Sequence, residues 1–238
     1  MQLHLTFKGA EISLPLAYRS IVQGMIYHAL KEDSDYSGFV HDQGNMADGR
    51  KFKGFTFSPL SGAYSIKGKS ICFGGEIHLE IRSVSAHFIE LLARALSVGK
   101  RIPLGKNEVE IIQSRVTDHH LLIPEAGIRL ISPMAAYVTE PDGSTRFFSP
   151  EDAEYLRAVE QNARRKWGSL VGTEGFAFHI EPIGKTARRK EVTSFKQTYI
   201  TAWYGEYHLS GAPEVIDLLY QVGLGAKSSQ GFGMFTLR

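Results

Sequence analysis

Three side chains of the N-terminal half could together perform acid–base and phosphate chemistry. Tyr27 lies in an apolar stretch with helical spacing, His41 in the polar segment that follows, and Lys53 at the start of the next extended stretch. Histidine transfers protons near neutral pH, lysine neutralises a developing phosphorane, and tyrosine positions or activates a hydroxyl. Such a set could act on RNA, which supplies its own 2′-OH nucleophile, so we expect no metal and no cofactor.

Each of these residues also has an ordinary structural interpretation. Tyr27 could be a core aromatic with a solvated hydroxyl, and His41 could be a solvated loop histidine. Lys53 stands close to Lys51 in a basic run, and such runs usually form a solvated face. Lys51 is a rival for the role of Lys53, and His28, beside Tyr27 on the predicted helix, is a weaker rival for the role of His41.

A glycine-rich pattern near the C-terminus is the second candidate site. Two triplets, Gly223-Leu224-Gly225 and Gly231-Phe232-Gly233, bracket the five residues Ala226-Lys227-Ser228-Ser229-Gln230. Glycine allows positive φ and lets backbone N–H groups come close to a bulky anion, and the bracketed side chains add a charge and neutral donors. The pattern predicts a phosphate-binding loop. The alternative is a glycine-rich turn between a helix and the final strand.

The familiar nucleotide-binding loops do not match this pattern. A dinucleotide fingerprint that starts at Gly223 needs a glycine where Ser228 stands, and a P-loop needs a glycine where Ala226 stands. Both motifs also require a long following helix, whereas five residues follow Gly233. We therefore do not expect mononucleotide binding of these types.

Basic residues of the C-terminal half are further candidates for contact with RNA. Each phosphate contact adds affinity and salt sensitivity. Solvated strand ends would explain the same residues equally well. These residues are Arg188, Arg189 and Lys190 with Lys185, and Lys196 with Tyr199.

Composition places the chain among soluble globular proteins. Of its 238 residues 43% are hydrophobic and 22% charged, and the formal net charge is +2. This small net charge argues against a strongly basic protein that coats nucleic acid, so local patches must carry any such binding. The single cysteine, Cys72, cannot form an internal disulfide, and the start has no signal pattern. We expect a cytoplasmic protein with no membrane segment.

The order of predicted elements in the N-terminal half is β, α, β, β, α, β. Leu3, Leu5 and Phe7 alternate with polar residues, which is the period of a half-buried strand. Helical spacing covers 16–30 and 84–96. Extended patterns cover 53–58, two strands within 64–81, and a strand pair or bent strand over 101–116.

The same order recurs in the C-terminal half. The second helix is expected to begin at Ser149-Pro150-Glu151-Asp152, with an N-cap serine, proline at the first position and acids in the first turn. The predicted ranges are 128–138 extended, 150–167 helical, 176–185 and 189–210 extended, 212–222 helical and 234–237 extended. The chain therefore predicts an α+β protein of two tandem ferredoxin-like (RRM-like, βαββαβ) domains, 1–120 and 121–238.

These residues and this order of elements resemble the CRISPR-associated repeat-processing endoribonucleases of the RAMP superfamily, which cut precursor CRISPR RNA inside each repeat. The resemblance is carried by both glycine triplets with their five-residue gap and by the tandem order, which spans essentially the whole chain. It is also carried by Gln23-Gly24-Met25-Ile26-Tyr27, His41 and Lys53-Gly54-Phe55-Thr56-Phe57-Ser58.

The resemblance implies metal-independent cleavage by attack of a 2′-OH on the adjacent phosphate, leaving a 2′,3′-cyclic phosphate and a 5′-OH. It implies that His41 is the acid or base, Tyr27 the hydroxyl positioner and Lys53 the phosphate stabiliser. The implied partner is CRISPR repeat RNA. Other subunits of an interference complex, and a monomeric or homodimeric state, stay open.

Two other classes of protein remain as alternatives. A catalytically inactive RAMP subunit that binds guide RNA within an interference complex would share the fold and the glycine-rich loop. A ferredoxin-like protein that binds a small molecule would show no salt-dependent binding of RNA.

Overall fold

A computed structural model describes residues 1–32, 45–47, 50–172, 175–184, 189–195 and 198–238. Within these ranges, the N-terminal unit contains two helices, α1 (Arg19–Ala29) and α2 (Ala86–Ala95), and a short 3-10 helix at Leu30–Glu32. Its strands are β1 (Gln2–Lys8), β2 (Ile12–Pro15), β3 (Asn45–Ala47), β4 (Arg50–Phe52), β5 (Phe55–Phe57), β6 (Tyr64–Lys67), β7 (Ser70–Phe73), β8 (Ile77–Ser83), β9 (Arg101–Leu104) and β10 (Asn107–Thr117).

The C-terminal unit repeats the plan with two more helices, α3 (Glu154–Leu170) and α4 (Pro213–Val222), and a 3-10 helix at Ser228–Gln230. Its strands are β11 (Glu125–Leu130), β12 (Tyr137–Thr139), β13 (Thr145–Phe147), β14 (Phe178–Pro182), β15 (Lys190–Phe195), β16 (Thr198–Trp203), β17 (Glu206–Gly211) and β18 (Phe235–Leu237). None of the helices in the described ranges is long and apolar enough to cross a membrane.

Strand order confirms two tandem ferredoxin-like units. The main N-terminal sheet runs β5-β8-β1-β10-β9 and the C-terminal sheet runs β14-β17-β11-β18, with antiparallel neighbours throughout. In each unit the second, third, first and fourth strands of a βαββαβ chain therefore lie side by side, followed in the N-terminal unit by the added strand β9. The buried side of β1 carries Leu3, Leu5 and Phe7, as their alternation predicts.

The start of α3 differs from the prediction. The helix begins at Glu154 with Ala153 as its N-cap, and not at Ser149-Pro150. The side chain of Asp152 accepts a hydrogen bond from the Ser149 N–H at 2.6 Å, and the Asp152 N–H donates to the Ser149 carbonyl at 2.9 Å. These four residues therefore close a separate turn before the helix, because Asp152 bonds to the backbone locally.

Three predicted extended regions divide into more strands than expected. Within 128–138, β11 belongs to the C-terminal sheet, whereas β12 pairs with β13 in a separate sheet. Within 64–81, β6 and β7 form a hairpin that joins β2 in a small sheet, and β8 enters the main sheet after Gly74-Gly75. Within 189–210, β15 and β16 form a separate hairpin and β17 alone joins the C-terminal sheet. Side-chain alternation does not distinguish a strand of a main sheet from one of a projecting hairpin, since both have period two.

Buried polar contacts join the two units. The Gln2 side chain donates to Oε1 of Gln221 on α4 at 2.9 Å, and Nη1 of Arg82 donates to the Phe235 carbonyl at 2.8 Å. The Arg82 guanidinium also lies 3.8 Å from the ring centroid of Tyr220. Because these contacts are desolvated and bonded, they fix how the two units sit on each other.

Candidate active site between the two units

A cleft of about 350 Å³ opens where α1 and the start of β5 face α3 and the glycine-rich loop, residues 223–233. Both units therefore contribute to one cavity. The lining residues from the N-terminal unit are Gln23, Tyr27, Phe52, Lys53, Gly54 and Phe55. Those from the C-terminal unit are Tyr137, Asn162, Lys166, Leu170, Val222 and Gly225 to Gln230.

One face of α1 is attached to the glycine-rich loop. Arg19, Gln23 and Tyr27 are four residues apart and so share that face. Arg19 Nε donates to the Gly231 carbonyl at 3.2 Å, and Gln23 Nε2 donates to the Ser229 carbonyl at 2.7 Å. These bonds bring Tyr27, one turn further along, to the wall of the cleft.

Tyr27 reaches the cleft as a protonated phenol. Its ring packs edge-on against Phe55, with 6.2 Å between centroids and an interplanar angle of 90°. Burial raises the pKa of Tyr27 to about 12. At neutral pH the hydroxyl can therefore donate a hydrogen bond to an RNA oxygen, and it is a poor base.

Lys53 lines the same cleft from the connection between β4 and β5. The following residue, Gly54, has a φ of +67°, and its carbonyl accepts a hydrogen bond from the Ser83 hydroxyl at 2.8 Å. Glycine is favoured here because other residues rarely adopt this φ. Gly54 therefore fixes the turn that carries Lys53 to the cleft, and the resemblance carried by the Lys53-Gly54 pair has a structural basis.

The other predicted catalytic residues are placed differently. His41 lies outside the described residues. Lys51 belongs to β4, and its side chain is likewise outside the description. His28, the rival for the role of His41, lines a separate cavity of about 600 Å³ with Gly24 and Met25, and it is not among the residues lining the cleft.

The glycines of the loop pack against the protein. A Cβ atom on Gly231 would lie 2.5 Å from the Phe57 ring, and one on Gly233 would lie 1.8 Å from the Leu224 carbonyl oxygen. Both residues have positive φ, +83° and +73°. The triplets thus have a physical reason that sequence analysis did not give, namely close packing of the loop on Phe57 and on itself.

Backbone N–H groups of the loop also bond to the protein. Ala226 donates to the Ala135 carbonyl at 2.8 Å, and Gly233 donates to the Pro133 carbonyl at 2.9 Å. Gly225 and the five residues between the triplets are the part of the loop that lines the cleft. Contact of the glycines themselves with RNA stays a prediction.

Lys227 stands at the most unusual backbone position of the loop. Its φ of 64° is the one positive value at a non-glycine residue within the described part of the chain. Such a conformation costs roughly 1–3 kcal/mol and persists where surrounding contacts impose it. The ammonium group lies 5.1 Å from the Tyr137 ring centroid, at the wall of the cleft.

Lys166 is a site residue that sequence analysis did not identify. The lysine is only 3% exposed, and its Nζ donates to the carbonyls of Gly223 and Gly225 at 2.6 and 2.8 Å. Burial lowers its pKa to about 7. Spacing could have revealed it, because the buried side of α3 contains Tyr155, Val159, Asn162, Ala163 and Lys166 at helical intervals.

The charge of the cleft favours an anion. Lys53, Lys166 and Lys227 line it, and no carboxylate is among the described lining residues. Two amide oxygens, Oδ1 of Asn162 and Oε1 of Gln230, are buried at this wall without a hydrogen-bond partner in the described part of the chain. The cavity therefore offers positive charge, which suits the phosphate groups of RNA.

Of the basic residues predicted to contact RNA, Arg189 and Lys190 are among the described residues, and neither lines the cleft. The guanidinium carbon of Arg189 lies 4.0 Å from the ring centroid of Tyr204, and Nζ of Lys190 lies 5.7 Å from the ring centroid of Trp203. Glu191 of the β15–β16 hairpin forms an ion pair with Arg19 of α1. Arg188, Lys185 and Lys196 lie outside the described residues, so contact of this surface with RNA stays a prediction.

The comparisons with known proteins agree with this architecture. Residues 118–237 match the family model described as "CRISPR associated protein Cas6, C-terminal", which is half of the chain. The chain therefore belongs to the Cas6 family of CRISPR-associated proteins. Among curated proteins, none matches the sequence.

Three solved structures share the fold over the whole chain. One described as "CRISPR associated protein Cas6" is 21% identical with a TM-score of 0.80, covering 100% of this chain and 99% of its own. "An RAMP protein binding different RNA substrates" is 18% identical with a TM-score of 0.84, at 100% and 99% coverage. A Cas6-related protein from Pyrococcus furiosus is 16% identical with a TM-score of 0.86, at 100% and 98% coverage.

Proposed function

We propose that the protein is a metal-independent endoribonuclease that cleaves precursor CRISPR RNA within its repeats. Membership of the Cas6 family supports the class of substrate. One observation carries the proposal: Tyr27 and Lys53 of one unit line the same positively charged cleft as Lys227 of the other. A phosphodiester placed there would be contacted from both sides.

The proposed reaction is a transesterification within the RNA. The 2′-oxygen forms a bond to the adjacent phosphorus, and the bond from phosphorus to the 5′-oxygen of the next nucleotide breaks. A base removes the 2′-OH proton and an acid protonates the leaving oxygen, which gives a 2′,3′-cyclic phosphate and a 5′-OH. We assign one of these proton transfers to His41, since imidazole exists in both forms near neutral pH.

The other residues act on charge and position. Lys53 and Lys227 neutralise the equatorial oxygens of the phosphorane, whose charge grows in the transition state. Tyr27 donates from its neutral phenol to the ribose or the phosphate, because its raised pKa keeps the proton in place. Burial in the cleft strengthens both effects by lowering the local dielectric.

A pair of reactions tests the chemistry. Repeat RNA is incubated with the protein in EDTA, and the incubation is repeated with RNA that carries a 2′-deoxy nucleotide just before the cut. We expect cleavage in EDTA, no cleavage of the deoxy RNA, and a cyclic phosphate on the product. Cleavage that needs a divalent cation, or that survives the deoxy substitution, contradicts the proposed mechanism.

Binding distinguishes the alternative functions. Salt-dependent binding of repeat RNA without cleavage would favour a catalytically inactive RNA-binding subunit of a CRISPR interference complex. Absence of salt-dependent RNA binding would reject both RNA functions.

A further inference from the structure

Lys166 joins α3 to the glycine-rich loop by three hydrogen bonds. Its Nζ donates to the carbonyls of Gly223 and Gly225, and to Oγ of Ser228 at 2.7 Å. The Ser228 hydroxyl donates in turn to the Gly225 carbonyl at 3.4 Å, so its oxygen is an acceptor toward the lysine. An ammonium has three hydrogens for these three acceptors, whereas a neutral amine has two.

The loop is held from two opposite sides. Lys166 binds it from the C-terminal unit, and Arg19 and Gln23 of α1 bind it from the N-terminal unit. Between these attachments lies Lys227 with its strained backbone, next to the bonded Ser228. Loss of the contacts from α3 should therefore let Lys227 relax toward a more favourable φ.

We propose that Lys166 is a positioning residue whose ammonium group holds the glycine-rich loop in the geometry that presents Lys227 to RNA. The inference deepens the proposed endoribonuclease function and rests on it. Lys166 does not itself contact substrate, since 3% exposure and three protein acceptors leave no donor for RNA. It acts through the loop.

The environment of Lys166 makes this role dependent on pH. The titratable side chains that share the cleft lining with it are Tyr27, Lys53, Tyr137 and Lys227, and the described lining contains no carboxylate to stabilise its charge. Burial lowers the pKa of Lys166 to about 7, so the proton is lost as pH rises through neutrality. One of the three acceptors then loses its donor.

Activity and stability should respond to this proton in opposite directions. Cleavage should decline above the pKa of Lys166 because the loop is held less firmly. Stability should rise from about pH 7 toward the ordinary lysine pKa, because in that window the unfolded chain binds a proton that the folded chain does not. A merely structural lysine would show the second effect without the first.

The first experiment measures hydrogen exchange without RNA in wild type, in Lys166→Met and in Arg164→Met. Arg164 is exposed on the same helix, so its variant loses the same charge without the loop contacts. We expect at least about tenfold faster exchange at residues 223–233 in Lys166→Met, unchanged exchange in β8, and wild-type behaviour in Arg164→Met. Exchange at the loop equal to wild type would overturn the inference.

The second experiment measures single-turnover cleavage of repeat RNA from pH 6 to 9. We expect the Lys166→Met variant to cleave RNA about 10²-fold more slowly than wild type at pH 6.5, because the catalytic groups are then misplaced. The Kd for 2′-deoxy RNA should change less than the cleavage rate. The rate of the variant should lack the decline above neutrality that wild type shows. Wild-type rates with the same pH profile would contradict the inference.

Two further variants test the role of Lys166 if Lys166→Met does not fold. Lys166→Arg stays charged over the whole range, so partial activity without the alkaline decline supports the role. Ser228→Ala removes one acceptor and should speed exchange in the loop alone; unchanged exchange there contradicts the role. If wild type cleaves no RNA, the proposed function fails, whereas the exchange result still decides whether Lys166 holds the loop.

Discussion

The two ferredoxin-like units have the same strand order but form opposite walls of the cleft in different ways. The N-terminal wall presents Tyr27 and Lys53 from a helix and from the turn before β5. The C-terminal wall combines α3 with the glycine-rich loop, which is held by hydrogen bonds to the Ala135 carbonyl and from the Lys166 ammonium and which contributes Lys227. The comparison shows that one fold, used twice, can line a cleft with side chains of a helix and a turn in one copy and with a loop held by buried hydrogen bonds in the other.

The packing of the loop adds a structural explanation for the glycine pattern. From the sequence alone, the pattern predicted that backbone N–H groups of the loop approach a phosphate. In the structure Gly231 and Gly233 face Phe57 and Leu224. Gly225 and the residues between the triplets line the cleft, and Gly231 allows the loop to pack closely on Phe57 of the N-terminal unit.

The largest expected effect concerns His41, the proposed acid or base. His41→Ala should lower single-turnover cleavage about 10²- to 10⁴-fold, because a general acid or base is lost. The Kd for 2′-deoxy repeat RNA should change little. His28→Ala is the matched control, since His28 lines the other cavity. Loss of cleavage in His28→Ala but not in His41→Ala would show that the histidine was assigned wrongly.

The next effect tests which lysine faces the phosphate. Lys53→Ala should slow cleavage about 10²-fold, the cost of removing one group that stabilises transition-state charge. Lys69→Ala makes the same change of charge on the exposed β6–β7 turn and should leave the rate near wild type. Lys51→Ala decides between the rivals: a larger loss there than in Lys53→Ala would transfer the role to Lys51.

A substitution that adds a Cβ atom tests the packing of the glycine-rich loop, and a second glycine with the same φ serves as the control. Gly231→Ala should lower the free energy of unfolding by about 1–3 kcal/mol more than Gly143→Ala does. Both glycines have a φ of +83°, but a Cβ at Gly143 has nothing within 4 Å, whereas one at Gly231 meets Phe57. If the two variants lose the same free energy of unfolding in urea, backbone strain alone explains why residue 231 is a glycine.

The smallest effect concerns Tyr27. Tyr27→Phe keeps the edge-on packing against Phe55 and removes one donor, so we expect about a tenfold slower reaction. Tyr64→Phe, at an exposed tyrosine in β6, is the control. Because the pKa of Tyr27 is raised, its contribution should not increase between pH 7 and 9. An increase over that range would indicate a phenolate base.

Sequence analysis predicted the fold correctly because helical spacing in α2 and α4 reports burial directly and because the apolar residues of β1, Leu3, Leu5 and Phe7, all lie in the core. It misplaced the start of α3, where Asp152 bonds to the backbone of Ser149 instead of entering the helix. Which strands form projecting hairpins depends on tertiary contacts that side-chain alternation does not contain.

The candidate site was only partly visible in the sequence. Residue type and motif pointed to Tyr27, Lys53 and Lys227, and the structure brings these three to one cleft. Lys166 was missed because it stands in a basic run, Arg164-Arg165-Lys166, and such runs usually face solvent. Its position on the apolar side of α3 is the signal that separates it from Arg164 and Arg165.

The most direct test of the account is a crystal structure of the protein with repeat RNA that carries a 2′-deoxy nucleotide before the cut. The account predicts that the scissile phosphate lies in the interdomain cleft, within hydrogen-bonding reach of Lys53 and facing Lys227 and Tyr27. A scissile phosphate bound on another surface, such as the cavity lined by His28, would contradict it.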